Sequence, residues 1–322
     1  MRERIAELAG DMRRSFDILR QRASDERKKD PTLFHPVART DVSLSVCAVD
    51  GGLVAQRLHG ADIVISRAVG VNFHYTDSKL KKFAYHPSKT PEPDLDLRNS
   101  LDEHEANVFR SLVRLKSELE CAISSIEKFS PQVMLMDGSL LPLPSDRPED
   151  DSELSRSYID LLSTYSRLFS ISKEKGCMLC GVVKDSRARK LSEELGFTCS
   201  DTLLCGYLLQ EGERTKAMPY YQEKKGVGKD LMALGEKISV FYLKSSDHDL
   251  PLRIEAYDCD VDKAASIIRS LSSISENFAY PAILIEADMC AAMDPKEIEG
   301  IQSSLLNLSG IKALRRNSRP FR

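Results

Sequence analysis

Two acidic residues in this sequence follow short apolar runs and are themselves followed by glycine. Asp50 comes after "LSVCAV" and precedes Gly51 and Gly52, while Asp137 comes after "VMLM" and precedes Gly138. Asp-Gly pairs are common in turns, so either pair alone is explained by turn chemistry. If both acids end neighbouring strands, their carboxylates can share one or two divalent cations, which prefer hard oxygen ligands.

The chemistry of such a site would be phosphodiester hydrolysis. Mg²⁺ or Mn²⁺ between two aspartates can activate water and stabilise the departing oxygen. The glycines after each aspartate would leave room for a phosphate backbone to approach. We therefore predict a metal-dependent hydrolytic site at Asp50 and Asp137, with a pair of turns as the alternative.

A third carboxylate is expected from the helix that precedes Asp137, over about residues 101–128. A helix running back along the next strand comes level with Asp137 about ten residues before its end. That window contains Glu118, which lies nearer the apolar stripe of the helix, and Glu120, which lies farther from it. The sequence does not choose between them. Glu105 also lies near the stripe but too early, and all three can instead be solvated charges.

Two further charged residues follow apolar runs later in the chain. Lys184 ends "GVVK" and could hold a scissile phosphate, although an exposed lysine at a strand end is equally common. Asp288 lies in "LIEADMC", at the junction of an apolar run and a helical pattern. It could complete the metal shell or simply cap that helix.

The elements that must position these residues begin with a helix over residues 1 to about 28. Strand-like runs at 43–49, 52–58 and 62–75 are separated by very short turn sequences, so we expect consecutive antiparallel hairpins. Prolines and small polar residues predict a loop over 86–99.

The rest of the core alternates helices with apolar strands. After the helix at 101–128, the predicted elements are a strand at 131–137, a helix at about 152–175, a strand at 176–184 and a short helix at 186–195. The order β-β-β-α-β-α-β-α is that of the ribonuclease H-like fold, with three antiparallel strands and then parallel ones. We therefore predict an α/β protein with this core, a mixed sheet, and helical and C-terminal elaborations.

Beyond the core the pattern is weaker. "CSDTLLCGYLL" fits a helix or a strand, and "YPAILIEADMCAAM" fits a strand or loop that runs into a helix. Asp294, Pro295 and Glu297 form a helix-start signature. A C-terminal helix and basic tail are thus expected over 293–322.

Composition limits the possible classes of protein. The 322 residues include 46 Lys and Arg and carry a net charge of -3, which argues against coating nucleic acid by bulk charge. No apolar stretch is long enough for a membrane span, and the N-terminus lacks a signal-peptide pattern. We expect a cytoplasmic protein whose eight cysteines are reduced. Cys177 and Cys180 fall in a predicted strand that would point them to opposite faces, which disfavours a zinc pair.

The ordered set of motifs resembles a known family. "VDGG", "LMDGSL", the intervening helix with its glutamates, "VVKDS" and "YPAILIEAD" look like those of the NurA nucleases, over about residues 43–292. The resemblance implies one nuclease domain over 43–292, with its core strands and helices at about 43–195, after an N-terminal helix and connector at 1–42.

The resemblance also implies activities and partners that the residues by themselves do not indicate. It implies manganese-dependent nuclease activity on single- and double-stranded DNA ends, as a 5′–3′ exonuclease and a single-strand endonuclease. It also implies a toroidal homodimer and a partnership with the hexameric ATPase HerA in resecting double-strand breaks. Carried over by position, Asp50, Asp137 and a helix glutamate (Glu118 or Glu120) would bind metal, and Lys184 would lie near the phosphate.

Two positions depart from the family pattern. The first motif reads Asp-Gly-Gly where Asp-Gly-Ser is usual, and Asp288 stands where many members have histidine. Aspartate can bind metal but cannot donate a proton as imidazolium does. These departures favour the main alternative, a catalytically weakened DNA-binding scaffold for the ATPase. An actin-like ATPase shares the core topology but requires a second such domain, for which the remaining sequence shows no pattern.

Overall fold

The computed structural model describes residues 1–58, 61–99, 101–220, 230, 235–275 and 277–309. The helices are α1 (Arg2–Lys29), α2 (Glu103–Phe129), α3 (Ser155–Glu174), α4 (Lys190–Glu194), α5 (Asp201–Leu208), α6 (Val261–Leu271), α7 (Ala282–Ala291) and α8 (Pro295–Ser309). The strands are β1 (Phe34–Pro36), β2 (Ser45–Leu58), β3 (Ala61–Thr76), β4 (Lys79–His86), β5 (Asp94–Asn99), β6 (Val133–Asp137), β7 (Met178–Val183), β8 (Glu213–Thr215), β9 (Met218–Pro219), β10 (Ile238–Lys244) and β11 (Leu252–Tyr257).

Across the described residues, these strands form one mixed sheet. Its order is β1-β8-β10-β11-β7-β6-β2-β3-β4, with β5 beside β3 and β9 beside β10. Strands β2, β3 and β4 are antiparallel, whereas β2, β6 and β7 are parallel neighbours joined through α2 and α3. This is the predicted ribonuclease H-like arrangement, and it brings the carboxyl ends of β6 and β7 to one edge.

Helices cover both faces of the sheet. On one face α2 and α3 pack against the strands, and the α2 residues Leu112, Leu119 and Ile126 are at most 3% exposed. On the other face α6 and α7 cover alternate residues of the same strands. Cys177 and Cys180 belong to the two different clusters, as strand alternation predicted. Truncating any of the three α2 side chains to alanine would cost about 2–5 kcal/mol.

The predicted break between two strands at Asp50 is wrong. Strand β2 continues from Ser45 to Leu58 and pairs with β3 along its whole length. Asp50 therefore lies inside a strand and does not end it. The third antiparallel strand is instead β4, which follows a turn at Asp77 and Ser78, both with positive φ.

Three other expectations are corrected or decided by the structure. The predicted loop at 86–99 contains strand β5, which pairs with residues 61–66 of β3. The ambiguous "CSDTLLCGYLL" forms helix α5, and "YPAILIEADMCAAM" is helical from Ala282 onward.

The helices near the chain ends agree with their sequence signals. Helix α1 covers nearly the predicted range, and α8 starts at Pro295 with Asp294 accepting a hydrogen bond from the Lys296 amide at 2.8 Å. The basic tail at 310–322 lies outside the described residues. In the ranges that are described, every helix is too short or too polar to cross a membrane.

Candidate metal centre

The register of the sheet places Asp50 and Asp137 side by side. Strands β2 and β6 are parallel, and Val49 is paired with Met136, so the next residue on each strand is an aspartate. Successive side chains of a strand point to opposite faces of the sheet. Asp50 and Asp137 each lie two residues after a residue that packs under α6 and α7, Ala48 and Leu135, so both aspartates are on that face. Because neighbouring strands lie about 4.8 Å apart, the two carboxylates face the same small volume.

Glu118 approaches these carboxylates from α2, on the other side of the sheet. Its side chain is only 5% exposed. A Cβ atom at Gly51 would lie 2.7 Å from the Glu118 Cγ, so only glycine allows the glutamate to pass close to β2. Gly51 therefore makes room for a protein side chain and not for the phosphate backbone that the sequence predicts there.

The three carboxylates influence one another through a poorly solvated region. Burial and, after it, the charge of the neighbouring Asp137 raise the pKa of Asp50 to about 7. Burial raises the pKa of Glu118 to about 8, although Arg114 lowers it and Asp50 adds to the increase. The site thus concentrates acidic groups whose charges are poorly compensated.

Two cations partly neutralise the acidic cluster. The Lys184 Nζ lies 3.1 Å from the Asp137 Oδ2, and the Arg114 Nη1 donates to the Glu118 Oε1 at 2.9 Å. Lys184, which directly follows β7, also lies 4.2 Å from the centroid of the Tyr280 ring. Within the described ranges, no three histidine, cysteine, aspartate or glutamate side chains are grouped closely enough to hold a metal ion as they stand.

Tyr280 is a residue of the site that its sequence position does not predict. It is 1% exposed, and its hydroxyl donates to the Val182 carbonyl at 3.3 Å. Burial, followed by the Asp137 carboxylate, raises its pKa well above the usual value. Tyr280 begins the "YPAILIEAD" segment, but nothing in its spacing pointed to Asp137. Arg114, in contrast, stands four residues before Glu118, which is the spacing of a helical ion pair.

The other candidate residues are placed differently. The side chain of Glu120 is 58% exposed and lies 3.9 Å from Lys116, so the structure does not bring it to the cluster. Glu105 accepts a hydrogen bond from Ser152 in the first turn of α2. Asp288 is exposed and lies within α7, so it does not cap that helix, but its charge contributes to the raised pKa of Asp50.

The fold and these motifs can be compared with known proteins. The sequence model of a family described as the NurA domain matches residues 44–292, which is most of the chain. The chain belongs to the NurA family. No curated protein matches it in sequence.

Solved NurA structures share the fold over nearly the entire chain. The NurA nuclease from Sulfolobus solfataricus superposes with a TM-score of 0.66 at 18% identity, covering 97% of this chain and 98% of that chain. A NurA structure bound to dAMP and manganese superposes with a TM-score of 0.63 at 12% identity, covering 98% and 97%. Identities this low establish the common fold alone.

Proposed function

We propose that the protein is a divalent-metal-dependent nuclease that hydrolyses DNA phosphodiester bonds. The observation that carries this proposal is the pairing of Asp50 and Asp137 on adjacent parallel strands, with Glu118 buried next to them. Membership of the NurA family and the fold shared with a NurA structure that holds dAMP and manganese support it.

The residues present fit Mn²⁺ or Mg²⁺ in their donor chemistry. All three are carboxylates, the ligand type these ions prefer, and their mutual repulsion in a buried region would be relieved by a cation. We propose that Asp50, Asp137 and Glu118 hold two ions, and that Asp288, whose charge acts on Asp50, contributes to the same site. When bound, such ions supply Lewis acidity, a water of lowered pKa and stabilisation of the leaving oxygen.

The basic residues of the site would act on the substrate. Lys184 can donate to a non-bridging phosphate oxygen once Asp137 binds metal, since its ammonium group already lies at the cluster. The Tyr280 ring beneath that ammonium group restricts where it can move. Arg114 would likewise be released from Glu118 toward the phosphate backbone, because its side chain is 42% exposed.

The substrate and the biological process follow from the family resemblance. We propose that the protein digests single- and double-stranded DNA ends, with 5′–3′ exonuclease and single-strand endonuclease activity. It would act in the cytoplasm with a HerA-type hexameric ATPase during the resection of double-strand breaks.

A homodimer is also part of the proposal, and α1 supports it. Its apolar stripe contains Ile5, Leu8, Met12 and Phe16, which are 37–59% exposed. Within the part of the chain that the structure describes, the later part of α1 joins a buried cluster, where Ala23 packs with residues of α5. An exposed apolar stripe of this length is typical of a surface that pairs with another subunit.

The alternative is a DNA-binding scaffold with a decayed site. The observation that favours it is the pairing of Asp137 and Glu118 with basic residues, which would compete with metal. To decide, we would incubate end-labelled single- and double-stranded DNA with the protein in Mn²⁺, Mg²⁺ or EDTA, alongside Asp50→Ala. The proposal predicts cleavage that needs metal and disappears in the variant. Intact DNA with folded wild-type protein, with and without the ATPase, would contradict it.

A further inference from the structure

One buried acid lies two strands away from the carboxylate cluster. Glu255, on β11, is 1% exposed. Its partner across the ladder is Gly181 of β7, and Gly181 in turn is level with Met136, the residue before Asp137. Glu255 thus stands beside the backbone turn that follows Asp137, without belonging to the cluster itself.

The two oxygens of Glu255 have different partners. Oε2 accepts hydrogen bonds from the Leu140 amide at 2.8 Å and from the Ser139 hydroxyl at 2.9 Å. Oε1 accepts from the Arg253 Nε at 3.0 Å. One side of this carboxylate therefore holds the turn after Asp137, while the other side is held by an arginine on its own strand.

Glycine makes this arrangement possible. A Cβ atom at Gly181 would lie 2.6 Å from the Gly138 carbonyl oxygen, so the turn rests directly on β7. Gly138 itself has a φ of 106°, which other residues rarely adopt. The turn consequently lies close enough to β7 for a side chain of the next strand, β11, to reach its backbone.

We propose that Glu255 is a positioning residue, which holds the backbone after Asp137 and thereby places the Asp137 carboxylate for metal binding. This inference rests on the proposed function, in which Asp137 is a metal ligand. A buried carboxylate is costly unless all its acceptor sites are used, and here two of its hydrogen bonds restrain the residues next to Asp137. Groups that orient a metal ligand from behind typically change metal affinity about 10–100-fold when removed.

The test is Mn²⁺ binding by Glu255→Gln, measured from the electron paramagnetic resonance signal of the free ion. Glutamine has one acceptor oxygen, so its NH₂ group must face either the Leu140 amide or the Arg253 guanidinium, both of which are donors. We expect Mn²⁺ affinity to fall by about 10-fold or more. Ser139→Ala, which removes one donor to Glu255, should weaken binding less.

Glu213→Gln is the matched control. Glu213 on β8 is also partly buried and accepts hydrogen bonds from a backbone amide, that of Gln210, and from the Arg27 guanidinium, but β8 pairs with β1 and β10 and lies away from β6 and β7. The control should bind Mn²⁺ like the wild type.

Each outcome decides the proposal. Wild-type protein without Mn²⁺ binding would overturn the proposed metal site and, with it, the role of Glu255. Equal affinity of the wild type and Glu255→Gln would overturn only the positioning role, as would an equal loss in Glu213→Gln. If Glu255→Gln does not fold, unchanged affinity in Ser139→Ala overturns the positioning role, and weaker affinity supports it.

Discussion

At the scale of single residues, Glu118 and Glu120 offer the sharpest comparison. Both are glutamates on α2, but the first is buried beside Asp50 and the second is exposed. We expect Glu118→Gln to lower metal-dependent DNA cleavage by at least about 100-fold, because it removes a proposed ligand. Glu120→Gln should cleave like the wild type in the same assay. Equal losses in the two variants would contradict this assignment.

The charged Asp50 carboxylate should lower the free energy of unfolding when metal is absent. This carboxylate is buried next to Asp137, and among the described residues it accepts one hydrogen bond, from the Gly51 amide at 2.7 Å. In EDTA at pH 8, Asp50→Asn should raise the free energy of unfolding by about 1–2 kcal/mol while abolishing cleavage. Urea denaturation measures this, with the exposed Asp17→Asn as the control. A less stable variant would show that the charge is better compensated than the site indicates.

The residues that could be predicted from sequence share one property. Asp50, Asp137 and Lys184 follow apolar runs, and that local pattern marks the strands that bring them together. Tyr280 and Glu255 could not be predicted, because their contacts with the site cross the sheet from segments far along the chain. The choice between Glu118 and Glu120 depends on the angle at which α2 is oriented about its own axis. The apolar pattern of the sequence defines that angle only coarsely.

At the scale of elements, the "DGG" segment shows that residue types alone do not reveal which helices pack against a strand. Asp-Gly-Gly has the composition of a turn, but both glycines lie within β2 because helices approach the strand there. Gly51 faces Glu118 of α2, and Gly52 faces the backbone of Ala291 at the end of α7. Tertiary packing thus overrode turn propensity, and no pattern within ten residues could reveal it.

This explanation predicts opposite effects at two glycines. A Cβ atom at Gly52 would lie 2.2 Å from the Ala291 carbonyl oxygen, so Gly52→Ala must displace α7. We expect a loss of about 1–3 kcal/mol in the free energy of unfolding, measured by urea denaturation. Gly10→Ala in α1 meets no atom within 4 Å and should stabilise the protein by about 0.5–1 kcal/mol. A stable Gly52→Ala variant would refute the packing argument.

At the scale of the whole molecule, the exposed stripe of α1 predicts how the protein assembles. Leu8→Asp places a charge within the stripe and should convert a dimer to a monomer, because a buried charge opposes association. Gln21→Asp introduces the same charge on the opposite side of α1 and should leave the dimer intact. Light scattering after size-exclusion chromatography distinguishes the two, and a dimeric Leu8→Asp variant would exclude this surface.

The order of the strands also has a consequence for biosynthesis. Strand β1 pairs with β8, and α1 packs on α5, so the first 36 residues find their partners only after residue 215 has been made. The β2–β3 hairpin can pair as soon as it leaves the ribosome, whereas Leu19 and Ala23 of α1 stay uncovered until α5 has been made. Helix α1 and strand β1 are therefore made before the β2–β3 hairpin but reach their places after it.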